Sequence, residues 1–183
     1  MVYNNSEQVI MFNMENKQPP LQLVDHTDPV LHQPCERFNF INPQFDITEF
    51  SQALVDKMRE CGGMGLAANQ VGKPYRIFAM ESEPTYVVIN PKIVAVSDET
   101  VSLEEGCLSY PGLIIKVKRP LWIKVRFNYP NGLAATHRFE GMTARCFLHE
   151  FDHIETGTTF LDRANPIHKE RALKQLKKLN RKN

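Results

Sequence analysis

The sequence lacks the features that direct a chain to or across a membrane. It has no apolar run of spanning length and no signal peptide. Its first twenty residues contain Glu7 and Glu15 but no arginine, which argues against an organellar transit peptide. We therefore expect a cytoplasmic protein that makes no membrane contact, and we interpret residues 1–20 as a flexible polar leader.

Paired cysteine spacing is also missing. The four cysteines, at positions 35, 61, 107 and 146, are widely separated and form no two-cysteine motif. This pattern indicates a reducing compartment, in which the thiols are either free or bound to a metal.

The chain as a whole carries no excess of charge, since its net charge is +1 at pH 7. This predicts no bulk attraction to DNA or to a membrane surface. The charge is nevertheless uneven: residues 163–183 carry eight Lys/Arg and one acid, a local +7, whereas the rest of the chain carries −6. A basic tail on an acidic body suggests docking on an anionic partner, although a solvated surface helix explains it equally well.

The length of 183 residues and the 42% hydrophobic content indicate one domain with a sizeable core. Asp46 and Glu49 form a capping-box pattern, and apolar residues at helical spacing predict an amphipathic helix over 48–60. Gly62-Gly63 would end this helix. Asn165-Pro166 opens a basic C-terminal helix, so we divide the chain into a catalytic domain over 21–163 and a helical tail over 164–183.

Short apolar or alternating runs predict the strands. They cover residues 21–24, 76–80, 86–89, 93–96, 113–117 and 121–127. The last of these turns through Pro130-Asn131-Gly132 into a hairpin with residues 133–139. Because strands and helices do not alternate, we expect antiparallel sheets and an α+β fold.

The most informative stretch is HEFDH at residues 149–153. On a helix, His149 and His153 lie on one face, where both imidazoles can bind one metal ion. Glu150 would lie beside the ion without ligating it and could take a proton from a metal-bound water, as in metal-assisted hydrolysis. The surrounding run 141–155 is apolar nearly all round, which predicts a buried central helix.

A catalytic metal needs a third protein ligand beside the histidine pair. Cys107 lies in a polar segment between Gly106 and Pro111, which is an unusual place for a thiol that merely packs. Cys146, one turn before His149, is interpreted as a wall of the site, although the sequence does not exclude an exchange of the two cysteines.

Three motifs now stand together: GMGLAANQ at 63–70, EGCLS at 105–109 and HEFDH at 149–153. Glycines in the first motif let a backbone approach a ligand closely, and Gln70 offers that ligand an amide; a plain turn is the alternative. In this order and at these separations, the motifs resemble those of the peptide deformylases. The resemblance covers about residues 21–160 and implies antiparallel sheets surrounding a central metal-binding helix.

The implied reaction is hydrolytic removal of the formyl group from the formyl-methionine of nascent polypeptides, giving formate and a free N-terminal methionine. One divalent metal, iron(II) naturally with nickel, cobalt or zinc as substitutes, would be bound by Cys107, His149 and His153. Glu150 would act as general base and then acid through metal-bound hydroxide.

The resemblance also assigns residues to the oxyanion and to the substrate. The Gln70 amide and the backbone N–H of Leu108 would stabilise the oxyanion. The methionine side chain and the backbone that follows it would contact Gly63, Met64, Gly65, Leu66, Leu103, Gly106, Met142, Arg145 and Cys146.

The expected partners are N-formyl-methionyl nascent peptides. We expect the protein to be a monomer that does not bind DNA directly. By resemblance, the basic C-terminal helix would also dock on the ribosome. The chain departs from the family pattern by one additional residue between His153 and Gly157. The metal ligands precede this position, so only the exit from the helix is affected.

Two other functions fit some of these residues. A zinc endopeptidase uses the same histidine pair but normally takes its third ligand downstream of the helix, whereas Cys107 lies upstream. A structural metal module would need a fourth protein ligand, for which the candidates are His26, His32, His137 and His168.

Overall fold

A computed structural model describes residues 20–179 of the chain. The predicted polar leader therefore lies outside the described residues, apart from residue 20.

The described part contains four α-helices and seven strands in the order α1 Ile47–Glu60, β1 Gly65–Ala67, β2 Ile77–Met80, β3 Tyr86–Val96, β4 Thr100–Gly106, β5 Ile114–Pro120, β6 Trp122–Asn128, β7 Ala134–Glu140, α2 Gly141–Glu155, α3 Phe160–Arg163 and α4 Pro166–Leu179. Within these residues, every helix is too short or too polar to cross a bilayer.

The strands form two antiparallel sheets. One has five strands in the order β1-β2-β3-β6-β7, and the other is the β4-β5 hairpin. Helix α2 contacts strands of both sheets, so the HEFDH motif lies between them. Ten of its fifteen residues are buried. The predicted α+β class, with antiparallel sheets around a central helix, is confirmed.

Helix α1 begins and ends as its sequence predicts. The Asp46 carboxylate accepts hydrogen bonds from the backbone N–H groups of Thr48 and Glu49 at 2.8 and 3.0 Å, which satisfies two donors of the first turn. After the last helical residue, Gly62 adopts a left-handed conformation with φ of +66°, which favours glycine.

Strand β2 separates two parts of the hydrophobic core. Its alternate residues Phe78 and Met80 pack with Phe147 of α2, whereas Ile77 and Ala79 pack against α1 on the other face. A third cluster joins the β4-β5 hairpin to the C-terminal segment through Val117, Phe160 and Ala172, among others. This third cluster fixes the position of α3 and α4.

Three strand predictions were wrong in detail. Residues 21–24 form no strand, and Val24 instead donates its backbone N–H to the Gln70 carbonyl oxygen. The predicted strands 86–89 and 93–96 are one strand, β3, with an irregularity where Asn90 takes a φ of +51°. The Asn90 side chain exchanges hydrogen bonds with both backbone polar groups of Phe38, which stabilises this irregularity. Residues 100–106, for which the sequence predicted no strand, form β4.

The additional residue after His153 is accommodated at the exit from α2. The helix ends at Glu155, and Gly157 then takes a left-handed conformation with φ of +61°. A Cβ at this position would lie 2.3 Å from the backbone nitrogen of Gln33, so the chain passes too close for any side chain. Further on, Asn165 caps α4 through the backbone N–H of His168, as predicted.

Candidate active site

Three side chains that suit a transition metal meet between the two sheets. Cys107 comes from the turn after β4, while His149 and His153 lie on one face of α2. Their donor atoms all lie within 4.8 Å of one another, and Cys107 Sγ is 3.3 Å from His153 Nε2. One thiolate and two imidazoles are a ligand set for zinc or iron, so these residues could hold a metal.

The other candidate ligands that the sequence offered, Cys146 and the four remaining histidines, do not join this metal-ligating group. The Cys146 thiol donates to the Met64 carbonyl oxygen at 3.1 Å, which favours Cys107 as the metal-ligating cysteine. Within the described part of the chain, the metal-ligating group contains no fourth His, Cys, Asp or Glu. The four remaining histidines therefore do not join it, and the geometry does not support a closed structural site.

Glu105 holds His149 in place. Its Oε2 lies 3.0 Å from His149 Nδ1, which leaves Nε2 of that ring for a metal. Arg119 donates Nε and Nη2 to the two oxygens of Glu105 at 2.7 and 2.9 Å, and Arg145 donates to Oε1 at 2.6 Å. All four side chains are buried, so the ring orientation is fixed by a charged network.

The network continues to the C-terminal segment. Arg119 Nη1 donates to Asp152 Oδ2 at 2.9 Å, and Arg163 donates to both oxygens of Asp152. Asp152 lies on α2 between the two histidines, whereas Arg163 ends α3. One set of ion pairs therefore connects α3, α2, β5 and β4 behind the metal ligands.

The electrostatics of the site favour a cation. Burial alone would raise the pKa of Glu105, but hydrogen bonds from His149 and Arg119 outweigh it and lower that pKa to about 2. Burial lowers the pKa of His149, yet hydrogen bonds with Cys107 and Glu105 outweigh this effect and raise that pKa to about 10. The pKa of His153 is shifted the other way: burial, and then the charges of His149 and Arg119, lower it well below its usual range, so this imidazole is neutral and can ligate. A ring that favours positive charge beside a neutral imidazole fits a metal.

Glu150 lies on α2 at the wall of the cleft. Burial raises the pKa of this carboxyl group to about 7, near the value at which a carboxyl group exchanges protons at neutral pH. Its Oε2 has no hydrogen-bond partner among the described residues. The carboxylate packs on Gly65 of β1, where a Cβ would lie 2.4 Å from Glu150 Oε1. Glycine is therefore required for this close approach.

The side-chain amide of Gln70 points toward the metal-ligating group. Its Oε1 accepts the backbone N–H of Ala67 at 2.8 Å. This bond orients the amide so that Nε2 lies 3.0 Å from Ser109 Oγ and 3.5 Å from Cys107 Sγ. Leu108 follows Cys107 and lines the same cavity. Donors beside a metal site can stabilise a developing oxyanion.

A cavity of about 430 Å³ opens onto these groups. Its walls include seven residues that the sequence analysis assigned to the substrate: Gly63, Met64, Gly65, Gly106, Met142, Arg145 and Cys146.

The structure differs from three of the substrate assignments. Among the described residues, Leu66 and Leu103 do not line the cavity: Leu66 is buried in the core against α1, and Leu103 is 40% exposed on β4. Arg145 was expected to contact the substrate, but its guanidinium group is buried. It donates to Glu105 and to the backbone carbonyl oxygens of Val101 and Val117.

The sequence analysis assigned no role to Glu105, Arg119 or Asp152. A signal for Arg119 was present, because alternate residues of β5 face the core and Arg119 continues the inward series of Ile115 and Val117. A charge at an inward position of a strand must be paired. Its partners could not be identified, because they lie 14 and 33 residues away in sequence.

Comparison with known proteins agrees with this geometry. A family model described as polypeptide deformylase matches residues 20–170. A peptide deformylase from Desulforudis audaxviator is 41% identical over 150 residues, covering 81% of this chain and 96% of its own length.

Solved structures show the same relationship. The structure of a Synechococcus elongatus peptide deformylase in complex with actinonin is 34% identical with a TM-score of 0.79, covering 86% of this chain and 88% of that one. A Plasmodium falciparum peptide deformylase is 32% identical with a TM-score of 0.80, covering 88% and 96%. The chain therefore belongs to the polypeptide deformylase family and is a peptide deformylase.

Proposed function

We propose that this enzyme removes the formyl group from formyl-methionyl nascent peptides by metal-dependent hydrolysis, with Glu150 as the general base. One observation carries the proposal: a buried carboxylate with an unpartnered oxygen lies beside a three-residue metal-ligating group at a cavity of about 430 Å³. Three protein ligands are the number that hydrolytic metal sites use, whereas closed structural sites use four.

Each residue of the site would have a distinct role in the hydrolysis. Cys107, His149 and His153 would hold a divalent ion, which would supply Lewis-acid chemistry that makes water easier to deprotonate near neutral pH. Glu150 accepts a proton from the attacking water and later delivers one to the departing amine. The Gln70 amide and the Leu108 backbone N–H stabilise the oxyanion, and loss of one such donor costs about 3 kcal/mol in comparable sites.

The cavity supports methionine as the first residue of the substrate. An unbranched thioether side chain would lie between Met64, Met142 and Cys146, and burial of its apolar surface contributes about 25 cal/mol per Å². The peptide backbone would run along β1 at Gly63 and Gly65 and beside Gly106. Backbone hydrogen bonds of this kind do not depend on sequence, which suits an enzyme that processes many proteins.

Iron(II) is the metal we propose for the natural enzyme, with nickel, cobalt or zinc as substitutes. The donor set supports this choice, because a soft thiolate with two imidazoles accepts each of these ions. We place the enzyme in the cytoplasm, where nascent chains are made, and we propose that it acts as a monomer. All four cysteines are free thiols, which agrees with a reducing compartment.

The decisive experiment is hydrolysis of formyl-Met-Ala-Ser by protein loaded anaerobically with iron(II) or nickel. Glu150→Gln should lower kcat by about 10²- to 10⁴-fold because the general base is lost. Metal content, measured by plasma mass spectrometry, should be unchanged because Glu150 lies outside the ligand group. Glu60→Gln, an exposed change on α1, is the matched control and should leave kcat unaltered.

The other outcomes are equally informative. An active Glu150→Gln variant would reject Glu150 as the base. Cleavage of internal bonds in an unformylated peptide, without release of formate, would favour the endopeptidase reaction. A fully metal-loaded protein without any hydrolytic activity would reject the proposed function.

A further inference from the structure

A second cavity, of about 340 Å³, adjoins the active-site cavity and shares two lining residues with it. We call it the side groove; it lies between β5 and α4 and is lined by Ile114 and Lys116 on one side and by His168 and Arg171 on the other, with Glu104 at its mouth. Glu104 and Ile114 line both cavities. A peptide that leaves the active-site cavity past these two residues would reach the side groove.

The side groove has a net positive charge, because Lys116 and Arg171 outnumber the single carboxylate, Glu104, which lies opposite Lys116 in the β4-β5 register. Within residues 20–179, neither Lys116 nor Arg171 has a carboxylate within ion-pair distance, in contrast to Lys169 and Lys174 on the same helix, which pair with Asp162 and Glu170. Lys116 and Arg171 stand on opposite walls. Because these two cations outnumber the one carboxylate of the groove, the groove suits an acidic ligand.

The wall formed by α4 is fixed to the domain. Ala172 is 2% exposed in the cluster with Val117 and Phe160, and Gln175 Nε2 donates to the Gly112 carbonyl oxygen at 3.1 Å. Arg171 directly precedes the buried Ala172. Its position relative to Lys116 is therefore set by packing and does not depend on binding of the ligand.

We propose that the side groove binds acidic side chains of the substrate itself, on the residues that follow its first three. The occupant is favoured by the two lining residues that the cavities share and by the sign of the net charge. This inference rests on the proposed function, since the formylated end must occupy the active-site cavity. It gives the C-terminal helix a part in substrate selection.

The test compares three formylated peptides with amidated C-termini: Met-Ala-Ser, Met-Ala-Ser-Glu-Glu-Glu and Met-Ala-Ser-Lys-Lys-Lys. At low ionic strength the acidic hexapeptide should have a kcat/KM about three- to tenfold above that of the basic one, the range expected for two partly exposed ion pairs. The ratio should approach one in about 0.5 M salt because exposed charges are screened. The double variant Lys116→Gln/Arg171→Gln should lower the ratio toward one at low salt while hydrolysing the tripeptide at the native rate.

The matched control is Lys174→Gln/Lys177→Gln, which removes two charges from α4 outside the side groove. This control should keep the full preference for the acidic peptide. Equal kcat/KM values for both hexapeptides at low salt would overturn the inference, as would an equal loss of preference in the control. Failure to hydrolyse even the tripeptide would instead reject the proposed function, so the two failures are distinguishable.

Discussion

The four cysteine side chains occupy different environments, which gives each a distinct chemistry. Cys35 is buried, and burial raises the pKa of its thiol to about 12. Burial likewise holds the pKa of Cys146 well above its usual range. Cys61 is half-buried at the end of α1, and Cys107 is half-buried beside the histidine pair. Since only the thiolate is nucleophilic, alkylation distinguishes these residues.

Iodoacetamide at pH 8 should therefore modify Cys61 first and spare Cys35 and Cys146. At this pH only roughly one Cys35 thiol in ten thousand is ionised, and a higher pH increases that fraction. Cys107 should be protected in the metal-loaded protein and become reactive after chelation, because its sulfur is then released. Peptide mass mapping measures each site.

Protein unfolded in urea is the control for this mapping, and all four thiols should react in it. If chelation exposed Cys146 and not Cys107, the two cysteines would have exchanged roles in metal binding.

At the scale of elements, a network of ion pairs joins β4, β5, α2 and α3. Glu105 on β4, Arg119 on β5 and Asp152 on α2 each have at least two charged partners, and Arg163 extends the network to α3. Breaking such a pair from one side is costly, because the remaining charge stays buried without compensation.

Glu105→Gln should lower the free energy of unfolding by about 3 to 5 kcal/mol, since Arg119 and Arg145 would lose their shared carboxylate. Urea denaturation of the metal-free protein is the suitable measurement, because it separates the ion pairs from metal binding. Glu104→Gln, the exposed neighbour on the same strand, should change stability by no more than about 0.5 kcal/mol. Equal stabilities of the two variants would show that the network contributes little.

The elements that the sequence predicted are those with local signals. Helix α1 has a cap and a glycine end, and β6 and β7 alternate around an Asn-Gly turn. Strand β4 was missed because its single buried side chain is Glu105, so it has no apolar alternation. Strand β1 is only three residues long, and its glycine suggested a turn. In both cases the strand is defined by its pairing with the next strand along the chain and not by an apolar pattern of its own.

At the scale of the whole molecule, the candidate metal ligands were predictable because the three motifs stand in an order and at separations that resemble one family. The charged network behind them was not predictable, because its ion pairs join residues that only the complete fold brings together. The distribution of charge was also evident from composition, with a basic C-terminal segment on an acidic body. The structure adds that the basic helix α4 is packed on β5 through Ala172.

Docking of this helix on the ribosome remains a prediction. Deleting residues 166–183 would test it poorly, because the deletion would also uncover the apolar surface beneath Ala172. Replacing the exposed Lys174, Lys177 and Lys178 with glutamine removes only charge. We expect this triple variant to lose most of its co-sedimentation with ribosomes at low salt, because docking on RNA depends on cations.

The control for this experiment is thermal unfolding, which should be nearly unchanged in the triple variant because surface substitutions have small effects. Unchanged co-sedimentation would reject ribosome docking through these lysines. That result would not bear on the proposal for the side groove, because the triple variant retains Lys116 and Arg171.

The contact between Gly65 and Glu150 also limits how the enzyme can respond to an inhibitor. A compound lying along β1 would meet Gly65, which cannot acquire a side chain without displacing the carboxylate that we propose as the base. It would also contact Met64, which is 52% exposed. Replacing the Met64 side chain would not displace the Glu150 carboxylate. We therefore expect inhibitor-resistant variants with substitutions at Met64 and none with substitutions at Gly65. A compound that draws its affinity from the backbone at position 65 would be the harder one to escape.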